Sequence, residues 1–357
     1  MRLRFLTSTP LEVMRGSGTF VGITTLAGAL RRQGASVEFL TPHIRLPIYT
    51  AQRLLFNESL RWRRLPPVDV TVGFDMDGYT IAGRSRGLHV ASIKGVVADE
   101  MRFESGLTRA TMQIQAACER KHVQRADAVV TTSQYSAGRL QSLYQLAATP
   151  HLIPELIDLA AWKKLLEPNP AKLDRQDRFV VLSVGRFYPR KRFELLLKAA
   201  ARLRSRIPTL EVRIVGGGPE AERLERICRE ENLASVVTWR RDISQAELAQ
   251  EYQACDVFCL ASVQEGFGIV FLEAMAAGKP IVAARAAAVP EVVRHGLLVE
   301  PDDVEALAAA IERLHRNPAL RQSLADKGRE VVRDFDAPMV AAMFLREMES
   351  LLEQRGK

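Results

Sequence analysis

The feature that most constrains this chain is a repeated alternation. Short β-branched runs are separated by longer amphipathic segments. A first series of strand-like runs falls at 2–7, 36–40, 69–74, 89–93, 128–132 and 151–153. A second falls at 179–184, 210–215, 236–239, 257–260, 280–284 and 297–299. Parallel strands need crossover connections of a dozen or more residues, usually helical. The pattern therefore predicts α/β architecture, with parallel sheets covered by helices on both faces. Two series predict two doubly wound, Rossmann-like domains. The chain has 357 residues, long for one core and comfortable for two. The break is placed in the polar, proline-bearing stretch "LIDLAAWKKLLEPNPAKLDRQDR". The expected domains are 1–157 and 158–335. A last helix, within 336–357, is in a position to pack back across the junction.

Composition narrows the class. Hydrophobic content of 47% and charged content of 26% are those of a globular domain. No run of about 18 uncharged apolar residues is present, so no membrane span is expected. The opening run "MRLRFLTST" is too short and too charged for a signal peptide. Cys118, Cys228, Cys255 and Cys259 lack CxxC spacing, which favours neither a zinc site nor a disulfide framework. The expected location is cytoplasmic. Net charge is +8, which suits an anionic partner. Residues 1–160 hold 19 Lys+Arg against 13 Asp+Glu, and the rest hold 31 against 29. Most of the positive field thus belongs to the first half. No nucleic-acid-binding signature accompanies it.

Ligands of open parallel sheets bind outside the carboxyl ends of the strands. The loops there are the places to look, and two such domains facing each other would enclose a cleft. After the first strand, Gly16, Gly18 and Gly22 open a helix, where backbone N–H groups approach an anion. Glu38, about 20 residues on, stands where a dinucleotide fold places its ribose-binding acid. The intervening "STPLEVMR" is long for a dinucleotide turn. After the first strand of the second series, "SVGRFYPRKRFELLLKAAARL" sets Arg186 and Lys191 around a proline turn. A guanidinium fork and an ammonium point charge suit a diphosphate. Arg190 and Arg192 stand beside them. "IVGGGPE" supplies Gly216, Gly217 and Gly218 for close backbone approach, with Pro219 in a first helical turn.

The stretch "SVQEGFGIVFLEAMAAGKPIVA" places Glu265 in a loop and Glu273 a turn or so into a short helix. Gly278 is expected to cap that helix, with Pro280 beyond it. The free N–H groups of Gly268 and Ile269 can take phosphate oxygens. Carboxylates accept hydroxyl protons from sugar or ribose. Loop and helix together suit one polyhydroxylated, phosphorylated ligand.

These segments resemble the retaining GT-B glycosyltransferases, the large family 4 group. "VGRFYPRKRFELLLKA" resembles the family's G-R-x(4)-K segment, "EGFGIVFLEAMAAGKPIVA" its E-x7-E segment, and "VPEVVRHGLLVEPDD" the segment downstream. The resemblance implies a GT-B fold of two facing Rossmann-like domains with a central cleft. It implies that Arg186 and Lys191 bind the donor diphosphate, with Gly266, Phe267, Gly268 and Ile269 beside them. Glu273 would hold the donor ribose and Glu265 the transferred sugar. Gly16 and Gly18 would approach the donor from the first domain. Lys94 takes the place of a histidine that members carry after the fourth strand, while His89 reads as structural. "RAAAVP" replaces glycines before the proline, and Arg240 stands where a glycine is common, so nucleobase choice stays open.

Two further stretches matter. Asp75 and Asp77 in "DMDG" match a short DxD metal pattern, although two acids in a loop are more often a turn. No metal or other cofactor is expected, because the fold neutralises diphosphate with cations and helix dipoles. Residues 49–65, "YTAQRLLFNESLRWRRL", mix apolar Leu54, Leu55, Leu60, Trp62 and Leu65 with Arg53, Arg61, Arg63 and Arg64. Such a segment can lie on the anionic inner face of a membrane or pack as an ordinary surface helix.

The expected activity is transfer of a sugar from a nucleotide-sugar to an acceptor hydroxyl, with retention by the resemblance. A lipid or saccharide acceptor of the cell envelope fits the charge. Three alternatives remain open: a nucleotide-sugar epimerase, an NAD(P)-dependent oxidoreductase using Gly16 and Glu38, and a non-catalytic membrane-binding scaffold.

Overall fold

The computed structural model describes residues 1–9, 18–44, 46–84, 87–167 and 178–355. The chain divides into two units. One comprises Met1–Leu156 with Ala337–Lys357, and the other Ile157–Asp336.

The first unit holds a six-stranded parallel sheet of β1 (Arg2–Leu6), β2 (Ser36–Leu40), β3 (Val70–Phe74), β4 (Leu88–Ile93), β5 (Ala128–Thr131) and β6 (His151–Leu152), in the order β2-β1-β3-β4-β5-β6. Side chains alternate across the strands. Leu3 and Phe5 join one core with Val72, while Leu6 turns to the other face and packs with Phe56 and Leu60. The final helix, Ala337–Arg355, closes the first of these cores. Its Val340, Ala341, Phe344 and Met348 are buried there against the helix Gly18–Arg32, and Phe344 meets Phe5 with ring centroids 6.4 Å apart.

The second unit holds β7 (Phe179–Val184), β8 (Leu210–Val215), β9 (Val237–Arg240), β10 (Val257–Leu260), β11 (Ile281–Ala284) and β12 (Leu297–Val299). All neighbours pair in parallel. The order is β12-β11-β10-β7-β8-β9. Read from the other edge, the unit's strands run third, second, first, fourth, fifth, sixth, the doubly wound order of dinucleotide-binding sheets. The strand order reverses between β7 and β10. The loops after those two strands part on opposite faces there and leave a crevice.

Local signals fix the flanking helices. Ser244 and Glu247 form a capping box at the start of the helix Gln245–Ala254. The helix Ile269–Ala276 follows β10. Gly268 enters it at φ +93°, and Gly278 leaves it at φ +65°, both in the left-handed region that favours glycine.

Candidate functional site

The crevice of the second unit is built from the loops after β7 and β10. Lys191 lies on a single helical turn, Pro189–Lys191, and its Nζ is 2.5 Å from Glu265 Oε1. Both side chains are largely buried, at 14% and 7% exposure. A backbone bond from Val263 N to Arg190 O, 2.9 Å, ties the same loops together. Glu265 O accepts from Ala288 N at 3.3 Å, which brings the loop after β11 to the same point. Two residues 74 apart in sequence thus become one charged pair.

Arg186 differs from Lys191. It directly follows Gly185 at the carboxyl end of β7 and is exposed. Among the described residues no carboxylate pairs with its guanidinium. Arg192, in contrast, is engaged by Asp302 at 2.9 Å and serves as the left-handed cap of the helix Phe193–Leu203. Arg190 lies over the Tyr188 ring, 4.9 Å from its centroid.

Glu273 is buried in the helix Ile269–Ala276. Its Oε2 accepts from Tyr252 Oη at 2.8 Å. Burial pushes its carboxyl up to about 7, and the Tyr252 bond opposes that shift. The helix has no side-chain cap, so its first backbone N–H groups remain available to an anion. Gly266, Phe267, Gly268 and Ile269 run into that turn. The Phe267 ring is in the core, 5.4 Å from the Phe335 ring, so only its backbone faces outward chemistry. Ser262 Oγ and Gln264 Oε1, in the same loop, are buried without a hydrogen-bond partner among the described residues. They, and Tyr252, carry no motif that a reading of one sequence could have found.

The glycines of the loop after β8 have a packing role. Gly216 and Gly218 have φ of +136° and +155°, and a Cβ would stand 2.0 Å from Gly185 O and 2.7 Å from Phe187 N. They let the β8 loop lie directly on the β7 loop that carries Arg186. Arg240, at the end of β9, pairs with Glu251, Nε to Oε1 at 2.9 Å.

In the first unit Lys94 directly follows β4. Its Nζ is 3.1 Å from Glu155 Oε1, and both side chains are about 5% exposed. Among the described residues Glu155 Oε2 has no hydrogen-bond partner, and it lies where a Cβ on Gly22 would meet it. The Lys94 backbone N–H donates to Asp75 Oδ1 at 2.9 Å. Glu155 is a residue the sequence reading missed, since 61 positions separate it from Lys94. Gly18 begins its helix, and Gly16 lies outside the described residues. His89 is fully buried, Nε2 to Nε2 at 2.9 Å from His122.

The Asp75–Asp77 pair is divided. Asp77 is buried among Ser8, Asn57 and Arg53, accepting from Ser8 N at 2.6 Å and Asn57 Nδ2 at 2.9 Å. Asp75 serves Lys94 from a left-handed backbone, φ +53°. The two carboxylates hold separate donors. Among the described residues no group of three His, Cys, Asp or Glu is arranged to hold a metal ion. Glu38 lies in the middle of β2, with Oε1 accepting from Arg4 Nε at 2.5 Å. The ribose-binding role is corrected on this point: an acid at the end of β2 is required, and this one is occupied inside the strand.

Residues 167–331 match the family model of glycosyl transferases group 1. A GDP-mannose-dependent alpha-(1-6)-phosphatidylinositol monomannoside mannosyltransferase of Mycolicibacterium smegmatis is 33% identical over 217 residues, 57% of either chain. A D-inositol 3-phosphate glycosyltransferase of Actinosynnema mirum is 32% identical over 260 residues, 67% of this chain and 59% of the relative. The chain thus spans a little over half the length of these curated relatives. Sucrose-phosphate synthase of Thermosynechococcus elongatus shares the fold, with a TM-score of 0.84 at 24% identity over 99% of this chain and all of that one. WaaG, a glycosyltransferase involved in lipopolysaccharide biosynthesis, aligns with a TM-score of 0.73 at 16% identity over 96% of this chain and 98% of that one.

Proposed function

We propose that the chain, whose second unit matches the family model of glycosyl transferases group 1, moves a sugar from a nucleotide-sugar to an acceptor hydroxyl. The observation that carries the reading is the crevice between β7 and β10. There Lys191 pairs with Glu265, the exposed Arg186 follows β7, and the helix Ile269–Ala276, without a side-chain cap, follows β10. Departure of a nucleoside diphosphate builds negative charge on its leaving oxygen. Prearranged donors at that point stabilise the transition state more than the ground state. Arg186 supplies a fork for the diphosphate, Lys191 a point charge, and the helix amides a partial positive end. Glu273, held by Tyr252, accepts from ribose hydroxyls. Glu265, oriented by Lys191, accepts from the transferred sugar. Retention follows the family resemblance and is part of the proposal.

Lys94, Glu155 and Gly18 belong to the acceptor-side unit in this reading. The acceptor is a lipid-linked or saccharide hydroxyl, in keeping with the relatives' names. Residues 49–65 favour contact with an anionic bilayer on one face only. Leu55 and Trp62 are 61% and 86% exposed, whereas Arg53, Phe56 and Leu60 are buried within the unit. Among the described residues no helix is long and apolar enough to cross a membrane.

The test is incubation with radiolabelled UDP-glucose and GDP-mannose, with and without lipid and saccharide acceptors. The reading requires label to move to an acceptor with release of nucleoside diphosphate. Conversion of the sugar with no acceptor present would mark an epimerase instead.

A further inference from the structure

The first unit holds a second cationic cavity, at the end of its sheet away from the carboxyl ends of the strands. It encloses about 360 Å³ and is bordered by Arg4, Arg61, Arg63 and Arg84, with Thr71 and Thr80 between them. Among the described residues no carboxylate lines it. Its floor follows from strand alternation. Leu3 and Phe5 face the main core, so Arg4 turns to the face shared with Leu6, beneath the carboxyl end of the helix Tyr49–Leu60. Arg4 is paired in register with Glu38 on β2 and Thr71 on β3. Its side chain is 5% exposed, held by Glu38 at 2.5 Å and by Pro66 O at 2.7 Å.

Charge in this cavity is incompletely balanced. Glu38 answers Arg4 from one side, and Glu58 answers Arg61 at 3.0 Å on the surface. Arg63 and Arg84 meet no carboxylate among the described residues. Two guanidinium groups without a carboxylate partner among the described residues, over a fixed cationic floor, suit recognition of a tetrahedral oxyanion. The cavity is larger than a single phosphate, which leaves room for what the phosphate is attached to.

We infer that this cavity, walled by Arg4, Arg61, Arg63 and Arg84, binds a phosphate group. The phosphate belongs either to a soluble phosphorylated molecule or to a phospholipid headgroup, which the exposed Trp62 beside Arg61 and Arg63 would meet at a membrane. The site involves none of the residues of the β7–β10 crevice, so it stands or falls independently of the transferase reading.

The test uses the full chain, Arg63→Gln with Arg84→Gln, and a charge control in the other unit, Arg226→Gln with Arg229→Gln. Both pairs change net charge equally. Inorganic phosphate and pyrophosphate are titrated calorimetrically, and vesicles of phosphatidylcholine with or without phosphatidylglycerol are sedimented with the protein. Binding that weakens about tenfold or more in the cavity variant and little in the control supports the site. Loss of phosphate titration identifies a soluble ligand. Loss confined to phosphatidylglycerol vesicles identifies a headgroup. No binding of any probe by the wild type, or equal weakening in both variants, overturns the inference.

Discussion

Lys191 and Glu265 form a close ion pair, Nζ to Oε1 at 2.5 Å, between the loops that leave β7 and β10. Neither side chain is well solvated. Removing the lysine alone leaves a buried carboxylate without its counter-charge, which costs about 3 kcal/mol. Lys191→Met is therefore expected to lower the thermal midpoint. Lys191→Met with Glu265→Gln recovers part of that loss, because the lone charge is gone. Both variants lose transfer activity by about a hundredfold or more, since the diphosphate loses a prearranged cation. Differential scanning calorimetry beside a turnover assay separates the two effects.

Arg186 gives the opposite signature. It is exposed and without an acidic partner, so Arg186→Ala changes stability by less than about 0.5 kcal/mol. Its affinity for a nucleoside diphosphate falls about tenfold or more. A stability loss comparable to that of Lys191→Met would mean that the side chain has a structural partner.

Gly216 is expected to tolerate no side chain. A Cβ there would lie 2.0 Å from Gly185 O, backbone that cannot rotate away, and φ is +136°. Gly216→Ala is expected to cost more than about 2 kcal/mol and to displace the loop carrying Arg186. Gly217→Ala, with open space around its Cβ, is the matched control. Chemical denaturation of the two variants checks this.

The unbound protein is expected to lose stability as pH rises from about 6.5 to 8, because below 6.5 the buried His89, His122 and His295, held neutral in the fold, oppose the raised carboxyls. Burial pushes the Glu119 carboxyl from 4.5 to about 8, with the Asp75 charge adding to the shift. Between those values the folded state keeps a proton that the unfolded chain has released. The stability is fully present below pH 4.5 and lost as pH rises through about 8. Glu273 acts in the same direction up to about 7. Glu119→Gln removes the decline between about 7 and 8 and lessens the slope below 7, where Glu273 still contributes. Thermal melts across this pH range provide the measurement.

The strands were legible because the runs are short and rich in β-branched residues, and the central ones are buried on both faces. β7, for example, is buried along its whole length. Arg186, Lys191 and Glu265 could be placed in the loops after β7 and β10 because their segments have specific spacing. Partners from distant strands were not. Tyr252 reaches Glu273 across 21 residues, and Glu155 reaches Lys94 across 61, with no local pattern marking either. The apolar-basic stretch 49–65 left its buried face open. A helical periodicity does not say which face is buried, and Arg53 turned inward to Asp77 at 3.5 Å. Asp75 and Asp77 likewise look like a pair only in sequence, because the left-handed turn at Asp75 sends them to separate donors.

The most direct test of the central claim is calorimetric titration of UDP, GDP and ADP into the wild type, Arg186→Ala and Glu273→Gln. One diphosphate is expected to bind the wild type, about tenfold or more weakly in either variant. Its binding near pH 7 should release a proton from Glu273, whose raised carboxyl meets ribose hydroxyls better when charged. Tight binding of a diphosphate untouched by both substitutions would place the ligand elsewhere and contradict the β7–β10 crevice as the donor site.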